Sequence, residues 1–364
     1  MRAIEQLPPA RNRCHFGLRR NQHGFTLVEL MVSLVISMLI SIAALGSARM
    51  FMGAQRQSVG AGTASGNAVT TIAAIKHEAE QAALGFYVNG TLPCQNFNLS
   101  VGTKTLAGNT PVMPVNVSSS NGNYAQLDLL YANALESAAP AYLASVTSSD
   151  AASATLTSYL PVQPGQTVML TPLGDVGQPC TVKTASRVDA AQSGMGSIVY
   201  FDDTGLHNQV DFSGSTYSTS SAVSLLGALN WSHFAVDSNG NLVMSRPIKG
   251  GSAVLARNVV GFQVQYGVTD GVTSSLDSWQ YAEGPTWAKL TTGLLPRVRA
   301  LRLELVIRSD QPEKADAQGN CSTTTALPTL LDRPLALASN WQCYRYRSST
   351  AVIPLRNILM GSNS

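Results

Sequence analysis

Residues 25–45 read Phe-Thr-Leu-Val-Glu-Leu-Met-Val-Ser-Leu-Val-Ile-Ser-Met-Leu-Ile-Ser-Ile-Ala-Ala-Leu, a run of 21 residues with one charge. A helix rising 1.5 Å per residue crosses a hydrocarbon core of about 30 Å with about 20 such residues. The segment before it carries Arg2, Arg11, Arg13, Arg19 and Arg20 against Glu5 alone. That excess of cations holds the leader in the cytoplasm and sends the remainder outward. A secretory signal peptide has a shorter apolar region, about 7–15 residues, with its small-residue cleavage site after it. Here the small residue, Gly24, stands before the apolar run. Cleavage there would leave the anchor on the mature protein.

Glu29 is the one acidic residue in the span. A carboxylate at mid-bilayer costs about 2.5–3.5 kcal/mol on insertion scales, and such residues are functional by default. The sequence Gly24-Phe25-Thr26-Leu27-Val28-Glu29-Leu30 resembles the prepilin signal of type IV pilins and type II secretion pseudopilins. The resemblance implies cleavage by a prepilin peptidase between Gly24 and Phe25, and N-methylation of Phe25. It also implies a role for Glu29 in filament assembly, neutralising the amino terminus of a neighbouring subunit. Ser33, Ser37 and Ser41 recur every four residues. They permit either close helix approach in lipid or hydroxyl bonding back to the main chain, and both readings stand open.

The whole-chain charge of +3 belongs largely to the leader. Loss of residues 1–24 removes five arginines and one glutamate, leaving 19 basic and 20 acidic residues, a net of −1. No basic stripe of the kind that binds nucleic acid remains. Of five cysteines, Cys14 lies in the leader. Cys94, Cys180, Cys321 and Cys343 form an even set suited to an oxidising periplasm. Three pairings are possible. Cys94–Cys180 with Cys321–Cys343 is favoured, because the second pair would staple a polar loop.

Beyond the anchor, Gly46, Gly53, Gly60, Gly62 and Gly66 predict a weak or partly melted stretch. Gly60-Ala61-Gly62 follows a membrane helix rather than a strand, which excludes a nucleotide loop. Residues 67–84 read as helix again. Val69, Ile72, Ile75, Ala79 and Ala83 make its apolar face, with Glu78 and Glu80 on the flanks. The expected product is a long, interrupted helix.

After Gly85 the chain turns to strand patterns. Residues 126–131, 154–160, 166–171, 180–185 and 197–201 are short β-prone runs. Residues 223–236 are ambiguous, and Asn239-Gly240 makes a hairpin turn into 242–244. In 259–268, Phe262, Val264 and Tyr266 alternate with Gln263 and Gln265. In 298–308, Leu301, Leu303, Leu305 and Ile307 alternate with Arg302, Glu304, Val306 and Arg308. Period two predicts an antiparallel sheet with one face open to water, closed by 344–355.

Asn258-Val259-Val260-Gly261-Phe262-Gln263-Val264-Gln265-Tyr266-Gly267 resembles the middle of PilW-type minor pilins. Trp287, the run 297–309, Tyr344-Arg345-Tyr346-Arg347 and Pro354-Leu355-Arg356-Asn357 resemble their later part. Residues 90–220 carry no such likeness. The pseudopilin J of type II secretion shares the same plan. The resemblance implies an α+β pilin fold, a long amino-terminal helix on an antiparallel sheet with a large β-rich insertion. Its parts would be a cleaved leader (1–24), a helix (25–85, spanning at 25–45) and a periplasmic β-rich domain (86–364).

The chemistry expected is assembly rather than catalysis, with no catalytic residue and no cofactor. His77, His207 and His233 lack metal-ligand spacing, and no GxSxG or HExxH occurs. Asp270 and Asp277 bracket a loop faintly like a calcium loop. Calcium takes six to eight oxygens, so a solvated turn is favoured and no metal is assigned. The turn at Asp202-Asp203 is weaker still. Trp279, Tyr281 and Trp287 serve either a core or an interface.

The implied role is a minor pilin in a priming or tip complex of the type IV pilus. Its partners would be other minor pilins, the major pilin, the inner-membrane assembly platform, the prepilin peptidase and a tip adhesin. The competing expectations are a pseudopilin J-like tip subunit and a tip-located binding module. The chain would sit in the inner membrane by one span, its carboxy-terminal domain in the periplasm, before entering the pilus tip.

Overall fold

A computed structural model describes residues 26–87, 92–111, 113–133, 140–173, 177–190, 196–271, 275–313 and 315–362. Gly24 and Phe25 lie outside the described residues. The chain divides into two units, Met1–Ser58 and Val59–Ser364.

The first unit is helical from Leu27 onward, within an α-helix that spans Leu27–Gln81. Thr26 caps it: its carbonyl accepts the Leu30 N–H at 3.1 Å, and its Oγ1 accepts the Glu29 N–H at 3.3 Å. Leu27–Ala48 is long and apolar enough to cross a membrane, 22 residues with mean hydropathy 2.4. The expected interruption at residues 46–66 does not occur, and the helix runs through all five glycines. A glycine weakens a helix by about 1 kcal/mol but keeps its main-chain donor. No proline intervenes to remove one.

In the second unit the helix ends at Gln81; of the expected apolar face Ile75, Ala79 and Ala83 are buried and Ile72 partly so, but the buried stripe is broader and leaves out Val69. Ala68, Thr71, Ile75, Glu78, Ala79 and Ala82 are buried, while Val69 is 60% exposed. The true stripe follows i, i+3, i+4, i+7 from residue 68, and takes Glu78 into the core rather than onto a flank. Ala83 (φ 68°) and Gly85 (φ 80°) then turn the chain. Two main-chain bonds stitch that turn to a strand: the Ala83 N–H donates to Leu130 O at 3.0 Å, and the Ala132 N–H donates to Leu84 O at 2.9 Å. A Cβ at Gly85 would lie 2.7 Å from that of Ala132, so the close approach requires glycine.

The helix packs on a nine-stranded sheet. Its main path runs Ser252–Ala256, Leu242–Ser245, Leu229–Val236, Tyr124–Ala132, Val259–Val268, Val298–Arg308, Tyr346–Pro354. Val115–Asn121 and Ser278–Tyr281 pair as branches on Tyr124–Ala132 and Val259–Val268. All contacts are antiparallel except the single parallel pair Phe262↔Tyr124. The core beneath the helix gathers Ile75, Leu127, Phe234, Phe262, Tyr266, Leu303 and Ile353, among others. Each such side chain contributes about 1.5–3 kcal/mol by leaving water.

The opposite face of the two clearest strands is not open as expected. Gln263 and Gln265 are 4% and 3% exposed. Leu330, Leu335 and Val306 form a small cluster over that face, with Val260, Leu337 and Tyr346 against it. The glutamines stay bonded: Gln263 Nε2 donates to Gly122 O at 2.9 Å, and Gln265 Oε1 accepts Arg302 Nε at 2.8 Å. Amides satisfied in this way can be covered without loss.

The region without family likeness gives Val115–Asn121 and Tyr124–Ala132 to the larger sheet and, with Ala222–Gly227, builds a second one, in the order Lys104–Pro111, Asn96–Val101, Cys180–Thr184, Thr167–Thr171, Ala222–Gly227, Ala141–Tyr142. The ambiguous stretch 223–236 is two strands, one in each sheet. Gly227 at φ 70° makes the passage between them. A shared core of Phe86, Phe97, Leu130, Leu226 and Leu229 joins the two sheets. Cys94 bonds to Cys180 across 86 residues within it, and Cys321 bonds to Cys343 across 22. The fold is α+β, with one long helix and a large β-rich remainder.

Candidate functional site

The amino-terminal turn is built by short-range chemistry. The Thr26 hydroxyl satisfies one of the main-chain donors that a helix start leaves without partners. The spacing Thr26-x-x-Glu29 is a capping pattern, a second reason for a carboxylate at this position beyond the assembly role. Glu29 also stands where the positive end of the helix dipole favours an anion, worth about 0.3–1 kcal/mol. Its side chain is exposed, and among the described residues no cation lies within ion-pair distance. A lone carboxylate beside exposed Leu27, Val28, Leu30 and Met31 can receive a charge from outside the chain.

The serine series is satisfied within the helix. Ser33 Oγ donates to Leu30 O and Ser37 Oγ to Leu34 O, both at 2.9 Å, and Ser41 Oγ to Ser37 O at 2.7 Å. Hydroxyls bonded this way carry no desolvation penalty in lipid, which suits the anchor reading. The same helix face stays small, so close approach by a neighbour is also compatible.

Sequence reasoning missed the role of Glu78. Its Oε2 accepts the Tyr131 hydroxyl and the Ser232 hydroxyl, each at 2.7 Å, and its Oε1 accepts Arg246 at 3.0 Å. Burial and the Glu78 carboxylate together push the Tyr131 phenol well above its ordinary value. Three donors from the sheet thus fix the rotation of the helix on it. The available signal was a carboxylate in the middle of the stripe Ile75, Ala79, Ala82.

The remaining candidates serve structure. Arg297 donates to Thr269 O through Nε at 3.1 Å and Nη2 at 2.9 Å, placing a cation against the Asp270 turn. No group of three or more metal-ligating side chains occurs among the described residues, and 272–274 of this loop lie outside them. Trp287 is buried against Tyr266, with ring centroids 6.1 Å apart. Trp279 and Tyr281 are partly buried under Arg302 and Arg333. His207 is buried with Nδ1 donating to Ser100 O at 2.6 Å, and desolvation lowers its pKa. His233 Nδ1 donates to Asp128 at 2.8 Å, and that hydrogen bond raises its pKa. Neither faces a nucleophile in the hydrogen bonds it makes. At Asp202 the main chain closes a turn, with the Gly205 N–H on Asp202 O at 2.9 Å.

Comparison with protein families finds two matches. Residues 236–357 match the family described as Type IV Pilus-assembly protein W, and residues 19–45 match the Prokaryotic N-terminal methylation motif. No curated protein and no solved structure matches the chain. The first match spans the strands of the larger sheet from Leu242 onward and the segment covering its glutamine face. The second spans residues 19–24, Glu29 and the whole of the apolar run 25–45. The chain thus resembles pilus-assembly proteins of the W type over residues 236–357 and prepilin-like proteins over residues 19–45, and it carries there a helix long and apolar enough to span a membrane.

Proposed function

We propose that this PilW-type chain is a minor pilin that enters a priming or tip complex of the type IV pilus. A prepilin peptidase removes residues 1–24, and Phe25 is N-methylated. The protein then stays in the inner membrane by one span, with its β-rich part in the periplasm. Assembly moves the helix from lipid into a bundle with other minor pilins and the major pilin, over the inner-membrane platform. A tip adhesin is a further partner. Glu29 neutralises the new amine of a neighbouring Phe25.

The observation that carries this reading is the exposed, capped apolar helix with one carboxylate in its first turn that has no ion-pair partner among the described residues. Apolar side chains so fully exposed need a lipid or helical environment, and a carboxylate there needs a cation. The PilW match at residues 236–357 favours the pilus over secretion.

A clean deletion tests it, scored in parallel for surface pili with twitching and for secreted exoproteins. The expected result is loss of pili with intact secretion. Intact pili with blocked export would assign the chain to the secretion pseudopilins instead. Normal behaviour in both assays would overturn assembly as its task.

A further inference from the structure

At one end of the larger sheet lies a cleft of about 150 Å³ that the filament role does not use. Arg308 ends its strand there, opposite Tyr346 in the register. Asn123, Tyr124, Asn340 and Trp341 line it with them, beside the apolar Val260 and Leu337 and two alanines. Among the described residues no carboxylate lies within ion-pair distance of Arg308, whose guanidinium instead rests 4.5 Å from the centre of the Tyr344 ring. The nearby Asp310 accepts the Asn258 amide at 3.0 Å.

The walls are held in place. Asn123 and Ala336 exchange two hydrogen bonds, at 2.7 and 3.0 Å. The Tyr346 hydroxyl donates to Trp341 O at 3.1 Å, and Cys343, two residues on, is disulfide-bonded to Cys321. A small cleft with a guanidinium that has no carboxylate in ion-pair distance among the described residues fits a carboxylate, which Arg receives through two parallel N–H donors. Its volume is below the roughly 300–1,000 Å³ of sites for larger ligands. Aromatic rings and amides beside the cation suit a sugar ring. A peptide carboxylate is captured by free main-chain N–H groups. Here the N–H groups of Ala336 and Trp341 already donate, to Asn123 and to Ala338 O.

We propose that this cleft binds the terminal carboxylated sugar of a glycan, with Arg308 on the carboxylate and Trp341, Tyr124 and Tyr346 around the ring. The inference does not rest on the filament reading. The test is titration of the full chain in detergent micelles with glucuronate, glucose and N-acetyl-alanine, followed by ligand-observed NMR. Saturable glucuronate binding, at least tenfold tighter than glucose, is expected. Arg308→Gln should weaken it at least tenfold, and Arg308→Lys, which keeps the charge without the fork, should weaken it severalfold. No saturable glucuronate binding to the parent chain overturns the proposal. Affinity unchanged in Arg308→Lys does the same, and decides the matter should Arg308→Gln unfold. N-acetyl-alanine binding as tightly as glucuronate overturns the sugar assignment.

Discussion

Glu29 and Glu78 lie on the same helix, the first exposed in its opening turn and the second 5% exposed near its end. Their different surroundings give them different expected phenotypes. For Glu29→Ala, the cap survives, because its donor is the main-chain N–H at that position. Membrane insertion and leader cleavage should therefore be normal while surface pili decrease, as measured by shear preparation beside an immunoblot for the processed chain. Normal piliation would remove the role assigned to this carboxylate. For Glu78→Ala, three donors lose their acceptor. Removing one partner of a buried charged network costs about 3–5 kcal/mol. A fall of that size in denaturant stability is expected, and a change below about 0.5 kcal/mol, the range of ordinary surface substitutions, would show that the network does not hold the helix. The motif around Glu29 was legible from sequence because it depends on neighbours within a few residues. The function of Glu78 was not, because Tyr131, Ser232 and Arg246 reach it from 53 to 168 residues away.

At the scale of elements, legibility follows the contrast between the two faces of a strand. Val259–Val268 and Val298–Arg308 alternate sharply and were readable. Asn96–Val101 was not, because Asn98 and Ser100 are buried as fully as Phe97 and Leu99. Asn98 reaches Thr181 Oγ1 at 3.2 Å and accepts the Asn109 N–H at 2.7 Å, so polar residues fill a place where periodicity expects apolar ones. The helix run through its glycines was misread for the opposite reason: a propensity of about 1 kcal/mol per residue is a weak prior that context overrides. Where backbone geometry leaves no choice, glycine is more telling. Gly85 combines φ 80° with the 2.7 Å approach to Ala132. Gly85→Ala should therefore lower stability by about 1–3 kcal/mol. Thermal unfolding of the two proteins side by side measures this, and an unchanged midpoint would mean that the turn is free to move.

Over the whole molecule, the two disulfides close loops of unequal length, 86 and 22 residues. In the chain-entropy account the longer loop restricts the unfolded chain more, about 4–5 kcal/mol against about 3. Paired replacement of Cys94 and Cys180 by serine should accordingly cost more than the same change at Cys321 and Cys343. Urea midpoints for the two double variants settle the order, and equal or reversed losses would point to native packing rather than loop length. The charge pattern adds a division invisible in the net figure. Residues 86–235 hold three basic and eight acidic side chains, whereas 236–364 hold 13 and nine. Residues 86–235 thus have a sign of their own, and both family matches leave them out.

The stitch between the end of the helix and the strand Tyr124–Ala132 has a mechanical meaning. A subunit held in a filament by its helix meets tension as a pull on that helix. In the second unit the pull passes through Gln81 to a turn bonded at Ala83 and Ala132, and sideways through Glu78 to Tyr131 on the same strand. That strand has neighbours along the main path of the larger sheet on both sides. Load therefore enters the sheet at an interior strand, where neighbouring ladders share it, and the free edge at Tyr346–Pro354 is spared.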